Sequence, residues 1–337
     1  MPVTIKDVAR ESGVNVSTVS RALNGEYGVH ADTRELVVAV AQRLRYRPNR
    51  VARGLVTGKS HTLGLVVSDI RNMFFSELAR GAEDAAYRAS YDLVLCNSDL
   101  DAEKQMRYVQ SLVEKRVDGI LMNSVASLTR KQQDQLAGMG VPIVLLNRTV
   151  ARQSFSTVCA DNEGGGKLAA EYLLKLGHRR IAHLTGPKHH GNMTERARGF
   201  VRALESAANP VESIVIYGKN NFAGGAEMAQ TLIAQHPEVT AVFVASDTMA
   251  FGVMQALIGA GRKIPRDISV IGFDNVVLSS IVHPPLTTIH QPKYEIGQAA
   301  VEILLRLTGK AERRVAPEHR LFDVHLVERE SCAECAQ

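Results

Sequence analysis

Residues 4–24 read TIKDVARESGVNVSTVSRALN, and the order of apolar and polar positions in this stretch decides the N-terminal fold. Ile5, Val8 and Ala9 form an i, i+3, i+4 apolar stripe, and Thr4 with Asp7 has the form of a capping box, so a helix is expected after Thr4. Gly13 breaks it, supplying the permissive backbone of a tight turn. Asn15 is a good N-cap for a second helix, Val16 to Leu23, whose Val19, Ala22 and Leu23 can pack on the first. Asn24-Gly25 ends it. A third helix is expected from the Asp32 cap to about Arg45, with Leu36, Val37, Val40, Ala41 and Leu44 inward. Two short helices around a glycine turn, with a third to bury their apolar faces, make residues 1–47 an all-α helix-turn-helix domain.

In that geometry the second helix enters the DNA major groove. Arg21 can bond a guanine edge, Val16 can meet a thymine methyl, and Ser17, Thr18 and Ser20 can reach bases or phosphates. Thr4 and Asn24 complete the expected DNA-facing set of the helices. The plainer alternative is a solvated face, and the charge distribution argues against it. Residues 1–60 hold ten Lys and Arg against five Asp and Glu, a surplus equal to the +5 of the whole chain. A basic head on a neutral body points to a polyanion-binding module attached to a body with another task.

The run T-I-K-D-V-A-x-x-S-G-V-N-x-S-T-V-S-R-A-L-N resembles the N-terminal signature of the LacI/GalR family of bacterial transcription regulators. That resemblance implies a hinge, here residues 48–60, that becomes helical on operator DNA. Leu55 matches the leucine that wedges into the minor groove, Arg50 and Arg53 would sit near phosphates, and Asn49 and Ala52 belong to the same DNA-facing stretch. So short a helix is unstable alone because nucleation is costly, and Gly54 weakens it further. The family also implies a homodimer on a near-palindromic operator of double-stranded DNA. The chain lacks C-terminal apolar heptads, which favours a dimer over a tetramer.

With 337 residues, 45% of them hydrophobic and 22% charged, the chain has material for a large core. It contains no apolar run of membrane-spanning length and no apolar N-terminal signal core, so a cytoplasmic protein without membrane contact is expected. Cys96, Cys159, Cys332 and Cys335 are too few and scattered for a disulfide framework. From Thr62 to Phe273 short apolar runs alternate with helical periodicity, giving eight to ten strands in two parallel sheets. Residues 61–330 are therefore expected to form two doubly wound α/β lobes, for which the family resemblance implies a periplasmic-binding-protein-like architecture, followed by a tail at 331–337.

Ligands of such folds bind beyond the carboxyl ends of strands. Ser68, Asn72, Phe74, Phe75, Asn123, Ser124, Asn147, Arg148, Arg196, Phe222, Ser246, Phe273, Asp274 and Gln291 fall there. Planar amides and carboxylates for paired hydroxyls, with aromatic faces for C–H surfaces, suit a sugar. Asp247 is read as a helix cap. Ser68, Asn72, Phe74, Phe75, Arg196, Phe222, Asp274 and Gln291 match the pentose-contacting motifs of periplasmic ribose-binding proteins, and the ribose-operon repressor branch looks closest. Asn147 stands where those binders have Asp, and Ser246 where they have Asn. A different pentose, a hexose, a sugar phosphate or a purine corepressor stays open.

Other motifs fall short. Gly54 to Ser60 has one residue too few for a P-loop, and Gly164-Gly165-Gly166 is not a dinucleotide fingerprint but suits close packing or hinge freedom. Cys332-Ala-Glu-Cys335 has no second pair for zinc and reads as unstructured tail; His189-His190 has no ligand partners at suitable spacing. No nucleophile elbow or other catalytic constellation is present, so no enzyme, no metal and no cofactor is expected. The expectation is a DNA-binding transcriptional regulator, a repressor, controlled by a small-molecule effector such as a pentose.

Overall fold

The computed structural model describes residues 3–25, 27–47, 58–124, 128–147, 155–188, 190–309 and 316–335. They fall in two compact units, Met1–Ser60 and His61–Gln337. The expected hinge residues Asn49, Arg50, Ala52, Arg53 and Leu55, and Arg148 of the expected effector set, lie outside the described residues.

Among the described residues the first unit has three helices, α1 (Ile5–Ser12), α2 (Val16–Asn24) and α3 (Ala31–Arg43). They share a core of Val8, Ala9, Val19, Ala22, Val37, Val40 and Ala41. Asp7 accepts hydrogen bonds from the backbone N–H and hydroxyl of Thr4 at 2.9 and 2.7 Å, and the Asn15 carboxamide caps α2 by accepting from the Thr18 N–H at 2.8 Å. Gly13 and Gly25 end α1 and α2 in the left-handed region. Two expectations need correction. The N-cap position of the third helix is His30, not Asp32, which sits in the first turn where a negative charge meets the positive helix end. Leu36 is 48% exposed, because it lies about 90° round the helix from the centre of the inward stripe.

The second unit is two α/β lobes. The first contains β1 (Thr62–Val67), α4 (Phe74–Arg88), β2 (Asp92–Asn97), α5 (Ala102–Glu114), β3 (Gly119–Asn123), α6 (Arg130–Ala137), β4 (Ile143–Leu146) and β5 (Ser156–Ala160). The chain then builds α7 (Asn162–Lys175), β6 (Arg180–Thr185), α8 (Gly191–Glu205), β7 (Glu212–Tyr217), α9 (Phe222–Gln235), β8 (Ala241–Val244), α10 (Asp247–Gly259), β9 (Ser269–Asp274) and β10 (Thr287–His290) in the second. It returns to the first lobe for α11 (Lys293–Thr308) and β11 (His319–Phe322), and ends in the second with β12 (His325–Val327). The strand orders are β11-β5-β4-β3-β1-β2 and β12-β10-β9-β8-β6-β7, parallel throughout except that β12 runs antiparallel to β10. Three crossovers, after β5, β10 and β11, join the lobes. Leu63, Leu65, Val144 and Val158 anchor the core of the first lobe, and Val242, Val244, Val253 and Val270 one core of the second.

Two sequence features resolve here. The Gly164–Gly166 run lies in α7, and a Cβ at Gly166 would sit 2.0 Å from the Arg196 carbonyl oxygen of α8. Conversely, a Cβ at Gly199 of α8 would sit 1.9 Å from the Glu163 carbonyl oxygen. The run serves close packing of two helix backbones. Residues 331–335 are not an unstructured tail. Ser331 donates its hydroxyl to the Val270 carbonyl, its own carbonyl accepts from the Val270 N–H at 2.8 Å, and the Cys335 N–H reaches the Leu176 carbonyl at 2.8 Å. The polar run reads as tail only until β9 and the end of α7 supply these partners. Burial pushes the Cys332 thiol up to about 12, away from thiolate chemistry.

Gly166→Ala is expected to lower stability by about 1–3 kcal/mol, since backbone must move to admit the methyl. Gly259→Ala, whose added Cβ meets nothing within 4 Å, is expected to leave stability unchanged or slightly raised. Thermal or denaturant melts of both variants check the contrast.

Candidate functional site

In the first unit α2 turns Val16, Ser17, Arg21 and Asn24 outward, with Val16 at 40% exposure. The same Asn15 oxygen that caps the helix also accepts from the Ser17 and Thr18 hydroxyls at 2.6 and 2.9 Å. Thr18 and Ser20 are half-buried, and Thr4 is exposed. Asp7 pairs with Arg10 at 3.1 Å and Glu11 with Arg43 at 2.7 Å, whereas Arg21 engages no partner among the described residues. An exposed, unengaged guanidinium beside small hydroxyl residues and one valine is what a helix needs to lie against base edges.

In the second unit a cleft of roughly 470 Å³, partly open to solvent, lies between the carboxyl ends of the two sheets. Ser68, Asn72, Phe74, Phe75, Leu100, Asn123, Ser124 and Asn147 line it from the first lobe. His190, Asn192, Met193, Arg196, Asn220, Ser246 and Asp274 line it from the second. Phe74 and Phe75 stand edge to face, their ring centroids 5.1 Å apart. Asn72, just before α4, accepts from the Phe74 N–H at 3.0 Å and also from the Thr248 hydroxyl across the cleft at 3.3 Å. Asn123 donates to the Leu146 carbonyl at 3.3 Å. Asn147 has φ +54 and a buried Oδ1 that finds no partner among the described residues. A buried acceptor left unbonded in a polar cleft is a group awaiting a donor.

Arg196 and Asp274 dominate the electrostatics. Arg196 is 2% exposed; its Cζ lies 3.7 Å from the Phe273 ring centroid, and its Nε donates to Asn162 Oδ1 at 2.9 Å. Its Nη1 donates to the Ala245 carbonyl and lies 3.6 Å from Asp274 Oδ1. Gln291 Nε2 donates to that same Asp274 oxygen at 2.5 Å. Burial pushes the Asp274 carboxyl up to about 7 although Arg196 pulls the other way. Burial also lowers the Arg196 pKa, while Asp274 supports its charge. Such a site suits a small polar molecule that presents both donors and acceptors.

Several expected residues play different parts. Phe222 begins α9, is 43% exposed and does not line the cleft; Asn220, two residues earlier in the same turn, does. Phe273 lies behind Arg196 as a stacking platform, and Gln291 acts through Asp274, both fully buried. Ser246, not Asp247, caps α10 by accepting from the Met249 N–H at 3.4 Å. Asp247 instead accepts from the Val276 N–H and the Ser279 and Thr288 hydroxyls inside the lobe. Leu100, His190, Asn192, Met193 and Asn220 were not foreseen. Asn192 stands four residues before Arg196 on α8, a helical spacing that could have pointed to it.

The lacI family of bacterial regulatory proteins matches residues 4–49, and the periplasmic binding protein-like domain matches residues 170–332. Catabolite control protein A of Priestia megaterium is 38% identical over 312 residues, 92% of this chain and 94% of that protein. The transcriptional repressor PurR of Vibrio cholerae is 40% identical over 332 residues, 97% of each chain. The ribose operon repressor of Halalkalibacterium halodurans is 37% identical over 307 residues, 91% of each. Among solved structures, the lac repressor dimer bound to operator and the anti-inducer ONPF gives a TM-score of 0.86 at 31% identity, covering 99% of this chain and all (100%) of that one. A LacI family regulator from Enterococcus faecium with bound ribose gives 0.73 at 33% identity, covering 82% and 100%. With similarity running nearly end to end across head and body, this chain belongs to the lacI family of bacterial regulatory proteins.

Proposed function

We propose that the chain is a transcriptional repressor that binds operator DNA as a homodimer through its helix-turn-helix and is controlled by a small sugar, such as a pentose, held between its lobes. It acts by binding, not catalysis, and works in the cytoplasm; no helix among the described residues is long and apolar enough to cross a membrane. The observation that carries the effector reading is the cleft lining. Asparagines 72, 123, 147, 192 and 220 and serines 68, 124 and 246 surround the Arg196–Asp274 pair. Each carboxamide and hydroxyl can both donate and accept, which is the complement of a ring of hydroxyls. The ribose bound by the Enterococcus faecium relative is consistent with this chemistry. A purine corepressor is the second reading, favoured by the 40% identity to PurR. A purine needs an open aromatic face, and here Phe74 and Phe75 are 3% and 6% exposed.

A thermal-shift panel of pentoses, hexoses, sugar phosphates and purines separates the two readings, since a ligand of the folded state raises the melting temperature. Stabilisation by a free sugar supports the proposal; stabilisation by purines alone overturns the sugar assignment.

Arg21→Ala is expected to lose about 1–3 kcal/mol of discrimination between operator and unrelated DNA, with a smaller change in nonspecific affinity. Equal losses on both sequences would remove Arg21 from base reading.

Effector affinity is expected to depend on pH through Asp274, whose carboxyl titrates at about 7. An ionised carboxylate accepts from sugar hydroxyls on both oxygens, so below that pH a proton must first leave. Affinity should fall up to about tenfold per unit as the pH drops below the midpoint, and flatten above it. Asp274→Asn should bind more weakly and lose this dependence; calorimetric titration across the range checks both.

A further inference from the structure

We infer that Lys293 is a positioning residue for the effector cleft, its ammonium holding the Asp274–Asn275 turn so that the Asp274 carboxylate faces the ligand. The inference rests on the reading of the cleft as an effector site.

Lys293 is the first residue of α11 and is 1% exposed. Both placements are unfavourable: a cation stands at the positive end of a helix, and an ammonium is withdrawn from water. The chain tolerates both because of what surrounds the nitrogen. An ammonium has three donors, and three backbone carbonyl oxygens receive them: Asp274 at 2.7 Å, Asn275 at 3.1 Å and Gln291 at 3.2 Å. Glu77 of α4, in the same lobe as α11, completes the cage with a carboxylate oxygen at 3.2 Å.

The clamped backbone is itself unusual. Asp274 and Asn275 have φ of +120° and +52°. Two consecutive non-glycine residues there are strained and persist only where the surroundings over-determine them. Lys293 bonds the carbonyl of each. It also bonds the carbonyl of Gln291, whose side chain donates to Asp274 Oδ1. One ammonium thus fixes the main chain of Asp274 and, through Gln291, its carboxylate. Lys293 does not line the cleft; it acts through Asp274, whose other charged neighbours are Arg196 and Asp247.

The test uses the full-length protein with 13C-labelled aspartate, following the Asp274 carboxyl by NMR without ligand and assigning it with Asp274→Asn. Lys293→Met is expected to raise the midpoint of Asp274, because a nearby positive charge is gone, and to weaken D-ribose binding by about tenfold or more. Lys293→Arg, which keeps the charge, should leave the midpoint close to wild type. Where Lys293→Met folds poorly, Lys293→Gln gives the same titration readout. If Asp274 titrates in the neutral variants as in wild type, the positioning role is overturned, whatever happens to the melting temperature. If wild-type protein fails to bind D-ribose, the assignment of ribose fails by itself, and the titration still decides the role of Lys293.

Discussion

Arg196 and Asp274 stand 3.6 Å apart, both nearly without exposure, and much of the second unit is arranged so that this pair can exist where it does. Withdrawing each charge from water costs several kcal/mol, offset only where geometry is good and the remaining polar atoms are bonded. The pair has such partners, and they come from particular places. Asn162, which holds Arg196, lies immediately after the first crossover between lobes. Gln291, which holds Asp274, lies in the second. The crossovers therefore do two jobs: they join the lobes, and they orient the charged pair. Any change in the angle between lobes reaches the groups that hold the pair in place.

The rest of each lobe is chemically plain. The central strands β1, β3, β4, β8 and β9 are largely apolar and buried on both faces, giving platforms whose carboxyl ends converge, as expected of open parallel sheets. Polar residues stand at or just after the carboxyl ends of several strands: Ser68 follows β1, Asn123 ends β3, Asn147 follows β4 and Asp274 ends β9. A rigid apolar sheet that ends in a polar residue holds that residue in one position without needing a hydrogen bond to do so. This leaves acceptors such as Asn147 Oδ1 unspent for a ligand.

How much of this could be read from the sequence depended on how local the determining interactions are. The head was legible because Thr4, Gly13, Asn15 and Gly25 act within one turn of themselves. Strands with continuous apolar runs were legible too. β10, β11 and β12, which read TTIH, HRLF and HLV, were not, and neither was α11 between β10 and β11. β10 is buried only because its threonines find distant partners: Thr288 donates to Asp247, and Thr287 accepts from the Arg329 N–H. The rim residues after each strand were recognisable as a class, but Phe222 and Asn220 were exchanged because a turn of two residues decides which side chain enters the cleft. Asn192 and Met193 were hidden in GNMT, the polar first turn of α8. The link between Arg196 and Asp274 joins two separate βα units and leaves no local trace.

The glycine contacts between α7 and α8 have a mechanical meaning. Where two helix backbones touch, neither has a layer of side chains over which to slide, so the shear motion open to ordinary packed helices is closed to this pair. The two helices move as one plate. Because α7 begins directly at the first crossover and α8 carries Arg196, that plate works as a lever whose fulcrum is the joint between lobes. A rotation there becomes displacement of the guanidinium with no slack taken up in between.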